Sequence, residues 1–171
     1  MPEWVVIGSM SEDRQLAERA AAAAQVHQLQ VAVAESLTGG LVSSRLAAAP
    51  QASRWFRGAL IAYASDVKHH LLGVPAGSVV SQPAAEAMAA GVAQLLGADV
   101  ALSLTGAGGP DPQDGAAPGT VWFGLFRAGR SVAQSRRLAG DPEAVCDQAC
   151  TEALRWLVAH LEALGAVPTP P

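Results

Sequence analysis

The chain has 171 residues, half of them hydrophobic and 15% charged, which is one domain's worth of polymer with enough apolar side chains for a core; that excludes a disordered or solvating chain. Eleven Lys and Arg against fifteen Asp and Glu leave a formal charge of −4, so there is no global electrostatic case for nucleic acid, although a local pocket can still hold one small anion. No apolar run approaches the roughly 18 residues of a membrane span, and Met1 to Met10 lacks the basic start of a secretory signal, so the expectation is a cytoplasmic globular protein with no membrane partner.

Residues 3–7 (Glu-Trp-Val-Val-Ile) form a short apolar run, either a strand or a docked arm. Ser11 to Gln28 reads as a helix, because Ser11 and Asp13 suit its start and the alanine run suits its interior. Leu29 to Ala34 is a Val-containing strand, and Glu35-Ser36-Leu37-Thr38-Gly39-Gly40 leads into a helix over Leu41 to Ala48. Pro50 to Gly58 connects to a strand over Ala59 to Ala64, and Ser65 or Asp66 caps a short helix through Leu72. After the loop Gly73 to Pro83 comes a helix from Ala84 to Leu96, closed by Gly97.

Asp99 to Leu104 is a strand, and Thr105 to Gly119 a long loop rich in Gly, Pro and Asp. Two strands, Thr120 to Phe126 and Ser131 to Arg137, flank the hairpin signal Ala128-Gly129. Asp141-Pro142 opens the last helix, which runs to about Leu164 ahead of a Pro-rich tail. With no repeat and no linker, residues 1–171 read as a single domain, its core about 11–164, with a short N-terminal arm. Alternating strands and helices closed by a hairpin argue for an α/β fold, a mixed sheet with helices on both faces. Ligands in such sheets sit beyond the carboxyl ends of the strands. Glu35–Gly40, Tyr63–Lys68 and Thr105–Gly109 all end there.

Ten of the eleven basic residues are Arg; the one lysine is Lys68, five residues after the one tyrosine, Tyr63. Arg does not lose its proton, whereas a Lys of depressed pKa does. A lone Lys is therefore a candidate for amine chemistry or a chance survivor in a Lys-poor chain. Ser36 stands where a strand gives way to a helix and is either a helix cap or a nucleophile. Free N–H groups at Thr38-Gly39-Gly40 are candidates to receive an anion or a developing oxyanion. A neutral lysine can take the proton of a serine hydroxyl, as in Ser–Lys pairs, and Tyr63 can assist as a proton donor. Glu35 is a surface carboxylate or an orienting group.

In the loop Thr105-Gly106-Ala107-Gly108-Gly109 the glycines let the backbone approach a ligand closely, but the loop is not a Walker A motif. Asp111 and Asp114 read as turn residues rather than metal ligands. His69 and His70 are neighbours whose side chains point apart on a helix, so no metal pair is expected. Cys146 and Cys150, four apart on a helix, have Cβ atoms about 5–6 Å apart, too far for a relaxed bridge, and read as small buried side chains. The period of 3.6 turns Cys146 inward and sets Asp147 on a flank.

Several stretches in this order resemble the C-terminal domain of the CinA family, the nicotinamide mononucleotide amidohydrolases (deamidases). They are Ala34 to Gly40, Trp55 to Gly58, Tyr63 to Val74, Val80 to Pro83, Ser103 to Pro110, Pro118 to Trp122 and Gly140-Asp141. The resemblance implies a three-layer α/β/α sandwich with a mixed sheet and a serine amidase without metal or cofactor. It would hydrolyse the carboxamide of nicotinamide mononucleotide to the acid and ammonia. It implies Ser36 as nucleophile, Lys68 as base and Tyr63 assisting. The substrate would be held by Glu35, Thr38, Gly39, Gly40, Thr105, Gly106, Gly108 and Gly109. It also implies a homo-oligomer, for which Trp4 to Ile7 offers an apolar arm.

The chain departs from the family pattern at Leu37 (usually Cys), at Gly108 (usually Ala), and at Cys146-Asp147, where two arginines are usual. Losing those arginines predicts weak affinity for the nucleotide, with Arg57 or Arg45 as the alternative phosphate contact. The competing reading is a catalytically weak or inactive relative that binds a nucleotide or regulates a partner.

Overall fold

A computed structural model of the chain describes residues 3–165, with side chains from residue 10 onward. It contains five strands, β1 (Val31–Glu35), β2 (Phe56–Ile61), β3 (Val100–Gly106), β4 (Thr120–Arg127) and β5 (Arg130–Arg137). The helices are α1 (Glu3–Val26), α2 (Leu41–Ala47), α3 (Ala52–Trp55), α4 (Ser65–Leu72), α5 (Gln82–Leu96) and α6 (Pro142–Ala163). The sheet order is β2-β1-β3-β4-β5. β1 runs parallel to β2 and β3, and β4 and β5 are antiparallel to their neighbours. The architecture is thus the expected mixed sheet between two helical layers.

Side-chain size divides the layers. Val31, Val33, Leu102, Leu104 and Phe123 project into a core shared with α1, α2 and α6. Ala32, Ala34 and Ala101 face the opposite core, built with α4 and α5. Small residues on that face let α5 come close. Ser103 Oγ donates to the Ala85 carbonyl at 2.6 Å, and a Cβ on Gly124 would run into the Ala85 carbonyl and Ser103 Oγ.

The caps follow local chemistry. Ser81 and Asp141 each accept a hydrogen bond from the backbone N–H three residues on, at Ala84 and Ala144, with a proline in the first turn. The hairpin turns on Ala128 and Gly129, both at positive φ, the twist that suits a two-residue connection.

Four local expectations are corrected. Residues 3–7 are the first turns of α1, not a strand or separate arm, because the helical run continues upstream of Ser11; the side chains proposed for self-association lie outside the described residues, as does the Pro-rich tail beyond residue 165. Pro50 to Gly58 is not a plain connection: it holds α3 and the start of β2. Trp55 sets that junction, being 1% exposed with its indole N–H on the Pro50 carbonyl. β2 therefore lies about three residues earlier than expected. Neither Ser65 nor Asp66 caps α4; the N-cap position is Ala64, with no side-chain hydrogen bond. Among the described residues no helix is long and apolar enough to cross a membrane.

Candidate active site

Three parallel strands end together. Glu35 of β1 lies opposite Ile61 of β2 and Leu104 of β3, so the residues that follow, Ser36, Ala62–Tyr63 and the loop after Gly106, emerge from one edge of the sheet. The turn after β1 is organised by Glu35, which is fully buried. Its carboxylate accepts the Thr38 hydroxyl at 2.7 Å and the backbone N–H groups of Gly40, Val42 and Ser43 at 3.1, 3.2 and 2.6 Å. Gly39 and Gly40 have positive φ, 58° and 114°, which brings the chain back over that carboxylate at no steric cost. Glu35 is therefore an internal orienting group.

This narrows the expectation of an anion site at Thr38-Gly39-Gly40. Besides the three N–H groups held by Glu35, those of Gly39 and Leu41 bond to the Ser36 and Thr38 carbonyls. Of the donors at the helix opening only the Thr38 N–H makes no hydrogen bond among the described residues, and Thr38 is not part of the cavity wall at Ser36. The N–H groups of Leu37, Gly108 and Gly109 also make no backbone hydrogen bond among the described residues.

Ser36 is 7% exposed and opens on a cavity of about 360 Å³, whose wall also includes Leu37, Tyr63, Gly106, Gly108 and Gly109. Pro110 to Gln113 close one side, and Pro142 and Cys146 of α6 the other. The other residues assigned to substrate, Glu35, Thr38, Gly39, Gly40 and Thr105, are not in this wall. Thr105 is buried, its hydroxyl donating to the Val79 carbonyl; together with Glu35 and Thr38 it supports the wall.

Lys68 is 1% exposed, and Nζ donates to the Tyr63 carbonyl at 2.9 Å. Burial pushes its pKa below the usual lysine value, with the carboxylate of Asp114 opposing the shift. Asp114, at φ 50°, accepts the Val79 N–H on Oδ2 at 3.0 Å, so it is a turn residue that also anchors the long loop. No hydrogen bond joins Lys68 to Ser36 among the described residues; the two are linked through Tyr63, whose carbonyl holds the amine and which lines Ser36's cavity. The Tyr63 residue is 71% exposed.

Helix α6 enters through Cys146, whose thiol donates to the Leu37 carbonyl at 3.1 Å. Burial, with Asp147 adding to it, raises the Cys146 pKa, so the group is a neutral thiol tying α6 to the residue after Ser36. Cys150 is buried and free, its pKa also raised by burial. The helical period brought Cys146 inward but gave no sign of its contact with Leu37, nor of Pro142 in the wall, since both depend on how α6 crosses the sheet edge.

The two arginines offered as phosphate contacts are elsewhere. Arg57 lies near the amino end of β2, opposite the cavity edge, and donates to the Leu96 carbonyl at 2.8 Å. Arg45 sits 3.6 Å from Asp13 and lines a separate cleft beside α1. His69 Nδ1 lies 2.9 Å from the Val74 carbonyl. Among the described residues no His, Cys, Asp and Glu cluster is arranged to hold a metal ion.

The pattern of the CinA C-terminal domain matches residues 13–161. A CinA-like protein of Frankia casuarinae is 44% identical over 129 residues, covering 72% of this chain and 30% of the relative. A CinA superfamily protein of Klebsiella pneumoniae, solved as a crystal structure, superposes with a TM-score of 0.84 at 31% identity, covering 88% of this chain and 98% of that one. A CinA superfamily protein of Escherichia coli gives 0.82 at 32% identity, covering 85% and 88%. The chain spans about a third or less of the curated relatives it matches, from 26% to 34% of their length.

Proposed function

The chain belongs to the CinA C-terminal domain family, and from that premise we propose that it is a serine amidohydrolase releasing ammonia from the carboxamide of nicotinamide mononucleotide or a close analogue. The observation that supports this reading is Ser36 on a cavity together with a buried lysine whose amine is held by the carbonyl of Tyr63, a residue of the cavity wall. A neutral Lys68 amine has two hydrogens and a lone pair. One hydrogen occupies the Tyr63 carbonyl, and the lone pair is free to accept the Ser36 proton. Catalytic contacts of this kind commonly tighten only when substrate is bound.

Ser36 Oγ would attack the amide carbon, forming a tetrahedral adduct. The developing oxyanion needs donors already in place. The N–H of Leu37, directly after the nucleophile, and those of Gly108 and Gly109 across the cavity are the groups available. Collapse of the adduct expels the amide nitrogen, which takes the proton from Lys68 and leaves as ammonia. Water then hydrolyses the Ser36 ester to the acid. Tyr63 stands at the mouth, where its ring can cover a planar pyridine.

The test is ammonia release from nicotinamide mononucleotide by the unaltered protein and by Ser36→Ala. Turnover that disappears in the variant, with its circular dichroism unchanged, supports the reading. Undiminished turnover by Ser36→Ala removes the nucleophile. No turnover by either form favours the competing role, a non-catalytic nucleotide-binding or regulatory relative, towards which the thiol and acid at Cys146-Asp147 point.

A further inference from the structure

The charges around the cavity do not suit a phosphate. Its wall contains no Arg, Lys or His; the one ionisable carboxylate in it is Asp111, an exposed residue on the loop after β3. The buried Lys68 amine, lowered in pKa by desolvation, is a poor source of compensating charge. Most arginines lie elsewhere, Arg54 and Arg57 at the amino end of β2. Arg14, Arg19, Arg45 and Arg155 pair with carboxylates in the α1–α2–α6 layer. Arg127 and Arg130 flank the hairpin tip, level with the amino end of β3 at Val100.

Only Arg136 and Arg137 reach the cavity's edge of the sheet. They lie on β5, two strands from β3, opposite Val121 and Thr120, which is roughly 10 Å from the end of β3. Neither lines the cavity, and Arg136 folds back onto the Ser135 carbonyl and Gln134.

The amino end of α6 is the remaining positive feature, since Pro142 lines the cavity. Its field is already offset by acids. Asp141 caps the helix through the Ala144 N–H at 2.9 Å, Pro142 has no N–H, and Glu143 occupies the first turn. Asp147 follows Cys146, one residue around the helix from the cavity face.

We infer that this cavity selects a carboxamide whose remote portion carries no phosphate, neutral or cationic, with Asp111 setting the preference. Resting on the amidohydrolase reading, this names its substrate class: a nucleoside-like pyridinium amide is favoured over the corresponding nucleotide. The pyridinium charge is attracted by Asp111, and the phosphate dianion is repelled by it without an Arg to receive it.

Binding of nicotinamide riboside and of nicotinamide mononucleotide to Ser36→Ala, measured by calorimetry, tests the inference apart from catalysis. The riboside is expected to bind at least as tightly as the nucleotide. Asp111→Asn should move the ratio towards the nucleotide by about three- to tenfold, while Arg137→Gln leaves it unchanged. A nucleotide bound ten times more tightly than the riboside overturns the inference, as does a tenfold loss of nucleotide affinity in Arg137→Gln, or no binding of either ligand. Riboside binding without ammonia release by the unaltered protein keeps the inference and removes the amidase reading instead.

Discussion

Replacing Glu35 by Gln removes one charge and changes no volume, so it isolates what the carboxylate does. Glu35 Oε2 takes the Thr38 hydroxyl and the Gly40 and Val42 N–H groups, while Oε1 takes the Ser43 N–H at 2.6 Å. A glutamine can put its carbonyl oxygen on the three-bond side. Its NH2 group then faces the Ser43 N–H, donor against donor. The lost charge-assisted bond and the stranded buried donor each cost about 1.5–3 kcal/mol. Relaxation of the turn returns part of this, which leaves a net loss of about 2–4 kcal/mol.

For a chain of 171 residues that loss lowers the melting temperature by very roughly 4–16 °C. Urea unfolding followed by circular dichroism measures it, and the midpoint should fall while the slope stays constant. Ammonia release should fall as well, because the turn that Glu35 holds is the one that presents Ser36. A stability change below about 0.5 kcal/mol, the scale of an ordinary surface substitution, would refute the orienting role.

Lys68→Arg keeps a positive charge but cannot accept a proton near neutral pH, so it should be as inactive as Lys68→Ala; an Arg variant with most of the rate would make Lys68 electrostatic. The pH profile follows from the lowered pKa of Lys68: turnover should rise as the amine deprotonates, with an inflection below the ordinary lysine value. Stability should rise too between the lowered folded pKa and the unfolded value, because the unfolded chain binds the extra proton there; flat kcat and stability from pH 6 to 10 would contradict this. Gly124→Ala sets a methyl against the Ala85 carbonyl and Ser103 Oγ, and should cost about 1–3 kcal/mol in urea unfolding; an unchanged midpoint would mean α5 can move away freely. Cys146→Arg with Asp147→Arg puts cations on the cavity helix and should lower the Michaelis constant for nicotinamide mononucleotide about tenfold; an unchanged constant would show that the added guanidinium groups do not reach the phosphate.

The sequence revealed the elements where local chemistry and periodicity agreed. Ser81 and Asp141 announced their helices, and Ala128-Gly129 its hairpin, because those signals act within a few residues. Strand β2 was misplaced because its start depends on Trp55, whose burial and bond to Pro50 come from tertiary packing. Glu35 was undecided between surface and interior for a similar reason. A carboxylate is usually exposed, and only the fold shows three backbone N–H groups converging on it.

That undecided residue also bears on the oxyanion expectation at Thr38-Gly39-Gly40. A glycine pair opening a helix looks like a set of free donors, provided nothing else claims them. Glu35 takes the Gly40 N–H from the preceding strand and the Ser36 carbonyl takes that of Gly39, so both glycine donors serve the geometry of the turn. In the cavity wall the unbonded backbone donors are the N–H directly after Ser36 and those of Gly108 and Gly109. Cys146 holds the Leu37 carbonyl at 3.1 Å, which ties α6 to the Leu37–Thr38 peptide, the one that follows the Leu37 N–H. A position where the family usually has a basic residue therefore carries here a neutral thiol that orients the turn and brings no charge to the wall. On the amidohydrolase reading, the thiol at Cys146 alters the charge beside the cavity and leaves Ser36 and Lys68 untouched, so selectivity and chemistry are separable there.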